Sequence, residues 1–298
     1  MAATGTVPES VAVPLRESSM KRERRWALWG SYGALTLFTF IFLIPPIYTV
    51  TTSLKTSAEI SSRQGNPWLV QHPTLNNFIE LITDSNFQTF FYNSVKITVV
   101  VVILSMVISI LAAFALARMR FWGSAALATG VFLTYLVPES LLFIPMFQIV
   151  GALGLMNNTW SLVLLYPTLT VPFCTWIMIG YFSSIPKELD EAALIDGASY
   201  LQMLVKIFIP VAMPGIIAAT IFAFTVSWGQ FLYPLAFLFS SDQMVLTVGI
   251  VTELIRGDVF AWGKIMAGSM IAALPPVIIY AFLMDYYISG LTAGATKG

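Results

Sequence analysis

Charge is what this sequence lacks most. Asp, Glu, Lys and Arg make up 10% of it, where a soluble domain carries about 25%. So few charges cannot clothe a chain of 298 residues for water. With 57% hydrophobic residues and a mean hydropathy of +0.82, most of its surface is suited to lipid. The single cysteine, Cys174, lies in an apolar stretch, which excludes a disulfide framework and a cysteine-held metal cluster. The single histidine, His72, leaves no pair for a His-based metal site and reads as a loop residue, so no metal is expected. The same scarcity argues against a membrane enzyme, which needs convergent His, Cys or carboxylates. Formal net charge is 0, so no global field suggests nucleic acid. No G-x-x-x-x-G-K-[ST] loop occurs, and the chain is not expected to bind ATP.

What is present is long apolar runs. Crossing about 30 Å of hydrocarbon takes roughly 20 helical residues. Six segments qualify: Trp26–Val50, Val95–Arg118, Ser124–Leu142, Trp160–Phe182, Ile216–Phe239 and Ile265–Ile288. The runs are continuous rather than alternating, so helices and not a barrel are expected. The fold class is all-α, a polytopic membrane protein. Pro45-Pro46, Pro138 and Pro275-Pro276 fall inside these runs and are expected to kink or interrupt them. The start, Met1–Ser19, is small and polar and precedes Lys21-Arg22-Glu23-Arg24-Arg25. The apolar stretch that follows is too long for the core of a cleaved signal, so the first helix is expected to remain as an anchor.

Orientation follows from Lys and Arg. An even helix count puts both termini on one side. Of the 15 basic residues, Lys55, Arg63, Lys96, Arg256 and Lys264 fall on the other side, and the majority share the side of the termini. Both termini are therefore expected to be cytoplasmic. Thr52–Asn93 and Ser240–Trp262 become external, and Ser183–Pro214 becomes the largest internal loop.

That loop is too polar to span and too patterned for a slack linker. Pro186 suits a first helical turn. Glu188, Asp190 and Glu191 follow at the positive end of the helix dipole. Ala192 and Ala193 keep the helix thin, and Gly197 permits a sharp turn. A second amphipathic piece, Tyr200–Ile209, returns toward the membrane and is expected to stop at Pro210. The whole reads as a helix–turn–helix built for docking.

The loop resembles the EAA motif of binding-protein-dependent ABC importer permeases, with Glu191, Ala192, Ala193, Asp196, Gly197, Ile207 and Pro210 at the matching positions. The ending GLTAGATKG resembles the tail of the maltose-type carbohydrate permeases, with Gly290, Gly294, Lys297 and Gly298. The resemblance implies the type I ABC importer permease fold in a bacterial inner membrane. It divides the chain into a cytoplasmic segment 1–25 and a transmembrane domain 26–298, with the coupling loop 183–214 and a tail 289–298. It implies a transport subunit rather than an enzyme. A second permease completes the pathway, two ATPase subunits bind ATP and Mg, and an extracytoplasmic binding protein delivers a sugar or related polyhydroxy solute. Glu191 and Asp196 would orient or dock the coupling helix, Gly197 would make its turn, Pro210 would end its second arm, and the tail would also meet the ATPase. The family often carries a Trp-Asn-Asp/Glu-like stretch in the fifth helix where this chain has Trp228-Gly229-Gln230, which puts a transfer of roles there in doubt.

For the solute pathway the residues leave alternatives open. Glu139 is either a pathway group inside a helix or a surface residue placed there because Pro138 ends the helix. Trp228, Gln230 and Tyr233 either contact a sugar or glue helices together. A polyol phosphate or a polyamine stays open as the solute. So does an ion-coupled transporter, which would need midplane carboxylates and broken helices in paired repeats.

Overall fold

The computed structural model of the chain describes residues 15–62, 65–119, 121–256 and 259–295. The elements are helical apart from one small hairpin. Helix α1 (Leu15–Ser53) leads to two short helices, α2 (Ser57–Ser61) and α3 (Asn76–Thr83). The 32-residue α4 (Phe87–Arg118) follows, then α5 (Ser124–Tyr135), α6 (Glu139–Ala152), α7 (Ser161–Leu165) and α8 (Pro167–Ser184). Next come α9 (Glu188–Ile195) and α10 (Tyr200–Met203). A π-helical turn, Leu204–Phe208, joins α10 to α11 (Ile209–Val211). Then α12 (Met213–Gly229), α13 (Leu232–Phe237) and α14 (Leu246–Leu254) precede the antiparallel pair β1 (Ile255–Arg256) and β2 (Val259–Phe260). The last helix is α15 (Trp262–Ala295).

Among the described residues, four helical spans are long and apolar enough to cross a membrane, and two further pairs qualify if each bent pair counts as one span. Two of the expected helices are broken. Ser124–Leu142 is not one helix but α5 and α6, meeting at 97°. Pro138 lacks a donor and pushes Val137 out of the helical region, so the ladder cannot pass. Ile216–Phe239 is likewise interrupted at Gln230, between α12 and α13. By contrast, α1 runs on through Pro45-Pro46 and α15 through Pro275-Pro276. In lipid, an unwound turn would leave more backbone groups unpaired than the prolines alone do. The loop expected over Ser240–Trp262 contains α14 and the hairpin.

The core is the packing of α4, α8 and α12 on one another. Small polar residues make this close approach feasible. The Ser105 and Thr170 hydroxyls lie 2.7 Å apart between α4 and α8, and Ser109 donates to the Val171 carbonyl at 3.3 Å. At Gly215 the Tyr181 ring sits where a side chain would begin. Against this core lie α5 on α8, and α15 on α12 with α1 outside it. The most apolar window of α1 buries nothing within the chain, which suits a helix facing lipid or another subunit.

Three apolar clusters lie along α4. Phe87 and Phe90 near its start pack with Leu81, Trp228 and Leu246. Ile97 and Val101 pack with Tyr166, Tyr233 and Phe237. Phe114 near its end packs with Phe182, Ala193, Met203 and Phe208. At about 1.5 Å per residue, α4 is a rod that reaches from the segment holding α3 and α14 to the segment holding α9.

Candidate coupling site

The stretch between α8 and α12 folds as a helical hairpin. Its first arm, α9, carries Glu188, Asp190 and Glu191 in its first turn, where carboxylates complement the helix dipole. Its end is built by hydrogen bonds. Ala198 N–H donates to the Ala193 carbonyl at 2.9 Å and Gly197 N–H to the Leu194 carbonyl at 3.1 Å. Gly197 has φ +75°. This is a Schellman stop with glycine in the left-handed position it favours. The second arm starts two residues later with a capping box: Ser199 Oγ accepts from Gln202 N–H, and Gln202 Oε1 accepts from Ser199 N–H at 2.9 Å. Gly197 thus turns the chain, and Ser199 restarts the helix at once.

The two faces of the hairpin differ. Ala193 is buried against Phe114, Phe182, Met203 and Phe208, and Ile207 packs partly on the same cluster. Glu191, Ala192, Asp196 and Gly197 are exposed. Beside them the apolar side chains of Leu194, Ile195 and Leu201 are also exposed, Ile195 by 85%. The tip is thus an exposed apolar patch rimmed by carboxylates, the kind of surface that often marks a protein contact.

Pro210 does not end the second arm as expected. The π turn ends at Phe208 and passes directly into α11, which contains Pro210, and the arm reaches Val211 before bending 82° into α12. Ile209 N–H bonds the Leu204 carbonyl in π register, so Pro210 falls in a first turn, where its missing donor costs nothing.

The hairpin is tied to the bundle by Arg118, the last residue of α4. Its Nη1 lies 3.3 Å from Asp190 Oδ2, and its side chain is only 5% exposed. Its Nη2 donates to the Ile185 carbonyl, which caps α8. Its guanidinium carbon stands 4.7 Å from the centre of the Phe208 ring, a cation–π contact. A cation where two helix C-termini meet, facing an acidic first turn, satisfies both dipoles.

The four residues expected along the pathway separate into two groups. Glu139 opens α6 with its Oε1 buried and without a hydrogen-bond partner. Pro138 does end a helix, yet the carboxyl turns inward. Tyr233 is fully buried, and its hydroxyl likewise has no hydrogen-bond partner. Trp228 donates to the Ala272 carbonyl at 3.0 Å and stacks on Phe224 at 5.7 Å. Its exposure of 8% leaves no open face for a sugar. Gln230 Oε1 accepts from Phe231 and Leu232 N–H at 2.8 and 3.1 Å, starting α13. Beside Trp228 and Gln230 lies a narrow crevice lined also by Ser94, Thr98, Tyr166 and Ser227, with no room for a water-sized sphere.

A family model described as binding-protein-dependent transport system inner membrane component matches residues 105–292, a span that includes Arg118, the hairpin, Glu139 and Tyr233. The chain belongs to that family. This permease is 35% identical over 272 residues to the inner membrane ABC transporter permease protein YcjP of Escherichia coli, covering 90% of this chain and 96% of that protein. It is 34% identical over 270 residues to the trehalose/maltose transport system permease protein MalG of Thermococcus litoralis, covering 89% and 95%. Its fold is that of a chain in the crystal structure of a bacterial ABC transporter that imports the acidic polysaccharide alginate. The TM-score is 0.78 at 22% identity, over 92% of this permease and 100% of that chain.

Of the expected tail contacts, Gly294 lies in α15 and Lys297 lies outside the described residues. The Arg118–Asp190 pair was not anticipated. In sequence Arg118 is one more basic residue at a helix end, and nothing local relates it to an acid 72 positions on.

Proposed function

We propose that this permease, with a second permease subunit, forms the pathway of an ABC importer for a sugar or related polyhydroxy solute. An extracytoplasmic binding protein delivers the solute. Separate ATPase subunits hold ATP and Mg and drive the cycle from the cytoplasm, where both termini lie. This chain transports and does not hydrolyse. The observation that carries the reading is the α9–α10 hairpin. The EAA-like residues form a hydrogen-bonded stop and a thin helix, and Leu194, Ile195 and Leu201 beside them form an exposed apolar tip. Such a unit can sit in a groove of another protein and move as one piece. The polyhydroxy solute is supported by the trehalose and maltose named for one relative and the sulfoquinovosyl glycerol named for another. The binding protein is supported by the alginate importer solved with a pentasaccharide-bound periplasmic protein.

The α5–α6 break, with Glu139 at the start of a half-helix, is a feature that ion-coupled transporters also use. One experiment separates the two. The permease is reconstituted in vesicles with its partner subunits and loaded binding protein, and uptake is followed with and without ATP. Uptake that needs ATP and stops with vanadate supports the importer. Uptake by the permease without ATPase, driven by an ion gradient, contradicts it.

A further inference from the structure

Helix α9 has little hold on the rest of the chain. Ala193 is its one buried residue, and a methyl group grips weakly. The other tie among the described contacts is the pair from Asp190 to Arg118. Arg118 reaches beyond α9. It closes the α8 terminus through the Ile185 carbonyl and lies over Phe208 of the second arm. Phe208 in turn meets Phe114 of α4 and Phe182 of α8 edge-on, with centroids 5.1 and 5.5 Å away. One planar cation therefore joins the last turn of α4 to both arms of the hairpin and to the end of α8.

We propose that Arg118 is a positioning residue that passes the displacement of α9 into α4, and through that rod to the opposite end of the bundle. This rests on the reading of α9 as the helix an ATPase moves. Arginine suits the task because its flat fork can bond a carboxylate and a carbonyl while its face lies on a ring, which a lysine ammonium cannot do. The fork is only half used toward Asp190. Arg118 Nε and Asp190 Oδ1 are both buried without a hydrogen-bond partner. A small slide of α9 can therefore exchange one oxygen for the other without parting the two charges.

The test uses the complete transporter in vesicles, comparing Arg118→Met, Arg118→Lys and Asp190→Asn with the wild type. The readout is solute moved per ATP hydrolysed, with the ATPase content of each purified complex. The expected result is that ATPases still co-purify and hydrolyse ATP, while solute per ATP falls at least tenfold in Arg118→Met. Asp190→Asn, nearly isosteric, falls in the same direction, and Arg118→Lys lies between Arg118→Met and wild type. If Arg118→Met does not accumulate, Asp190→Asn and Arg118→Lys decide. An unchanged ratio would overturn the proposal. So would loss of the ATPases from these complexes, which would place the pair in the docking surface instead. A wild-type transporter whose uptake ignores ATP would overturn the underlying reading and not this one alone.

Discussion

Gly197 holds a φ of +75° with open space where a side chain would begin. Its glycine answers to backbone conformation, not crowding. A β-branched residue resists that conformation, at a cost of about 1–2 kcal/mol, whereas asparagine enters it more readily. Gly197→Val is therefore expected to insert normally yet lose ATP-driven uptake, and Gly197→Asn to keep most of it; uptake by the reconstituted complexes checks this. Equal loss in both would mean that the ATPase needs the bare backbone there, not the turn. Glu139 supports a second expectation. Its buried oxygen without a hydrogen-bond partner is a group in want of a donor. If sugar hydroxyls supply that donor, Glu139→Gln exchanges a charged hydrogen bond for a neutral one, a loss of about 1 kcal/mol, or roughly fivefold in KM. Basal ATP hydrolysis should not change. An unaltered KM would leave Glu139 as a helix-start residue only.

Among the elements, those set by local chemistry were legible and those set by distant contacts were not. The acidic first turn, the glycine stop and the return helix each need only their own neighbours, so the hairpin could be read from Pro186 to Ile209. The break at Pro138 was marked by proline, but its 97° bend was not. That angle depends on α8, against which α5 packs. The start of α13 depends on Gln230 turning its side chain onto its own chain, for which a glutamine carries no signal. The connection after α1 shows the same limit. Its order comes from Lys55, buried and donating to the Asn66 and Pro67 carbonyls at 2.8 and 2.9 Å, and from Glu59. The Glu59 carboxylate accepts Gln71 N–H at 2.9 Å and His72 N–H at 3.3 Å. The Gln71 bond above all holds its carboxyl below the usual glutamate range. A lowered native pKa stabilises the ordered loop above the ordinary value of 4.5, and that contribution fades as pH falls through the native value. Hydrogen exchange at Gln71 and His72, corrected for intrinsic rate, should therefore quicken below about pH 4.5 in the wild type. In Glu59→Gln it should already be fast at neutral pH. Equal protection in the two proteins at neutral pH would remove Glu59 from the account.

At the scale of the whole molecule, orientation decides which face meets the ATPase. The chain supplies its own reporter background, because Cys174 is its single cysteine and is fully buried between α8 and α12, with Sγ 3.4 Å from the Ala219 carbonyl. Leu69, in the connection after α1, is 62% exposed, and Ile195, at the hairpin tip, is 85% exposed. A cysteine at either position should accept a membrane-impermeant maleimide from whichever side it faces, while the wild type stays unlabelled. In intact cells stripped of any outer barrier and making the permease without its ATPase, Leu69→Cys should label at once. Ile195→Cys should label only after the membrane is opened. Adding the ATPase subunits to opened membranes should then shield Ile195→Cys and leave Leu69→Cys reactive, because an exposed apolar side chain at a docking tip is covered when the partner seats on it. The two effects test different statements. Labelling of Ile195→Cys from outside would reverse the orientation read from the basic residues. Labelling from inside without protection by the ATPase would keep the orientation and remove the tip from the contact. Only the combination of inner access and protection is compatible with a bundle worked through the α9–α10 hairpin.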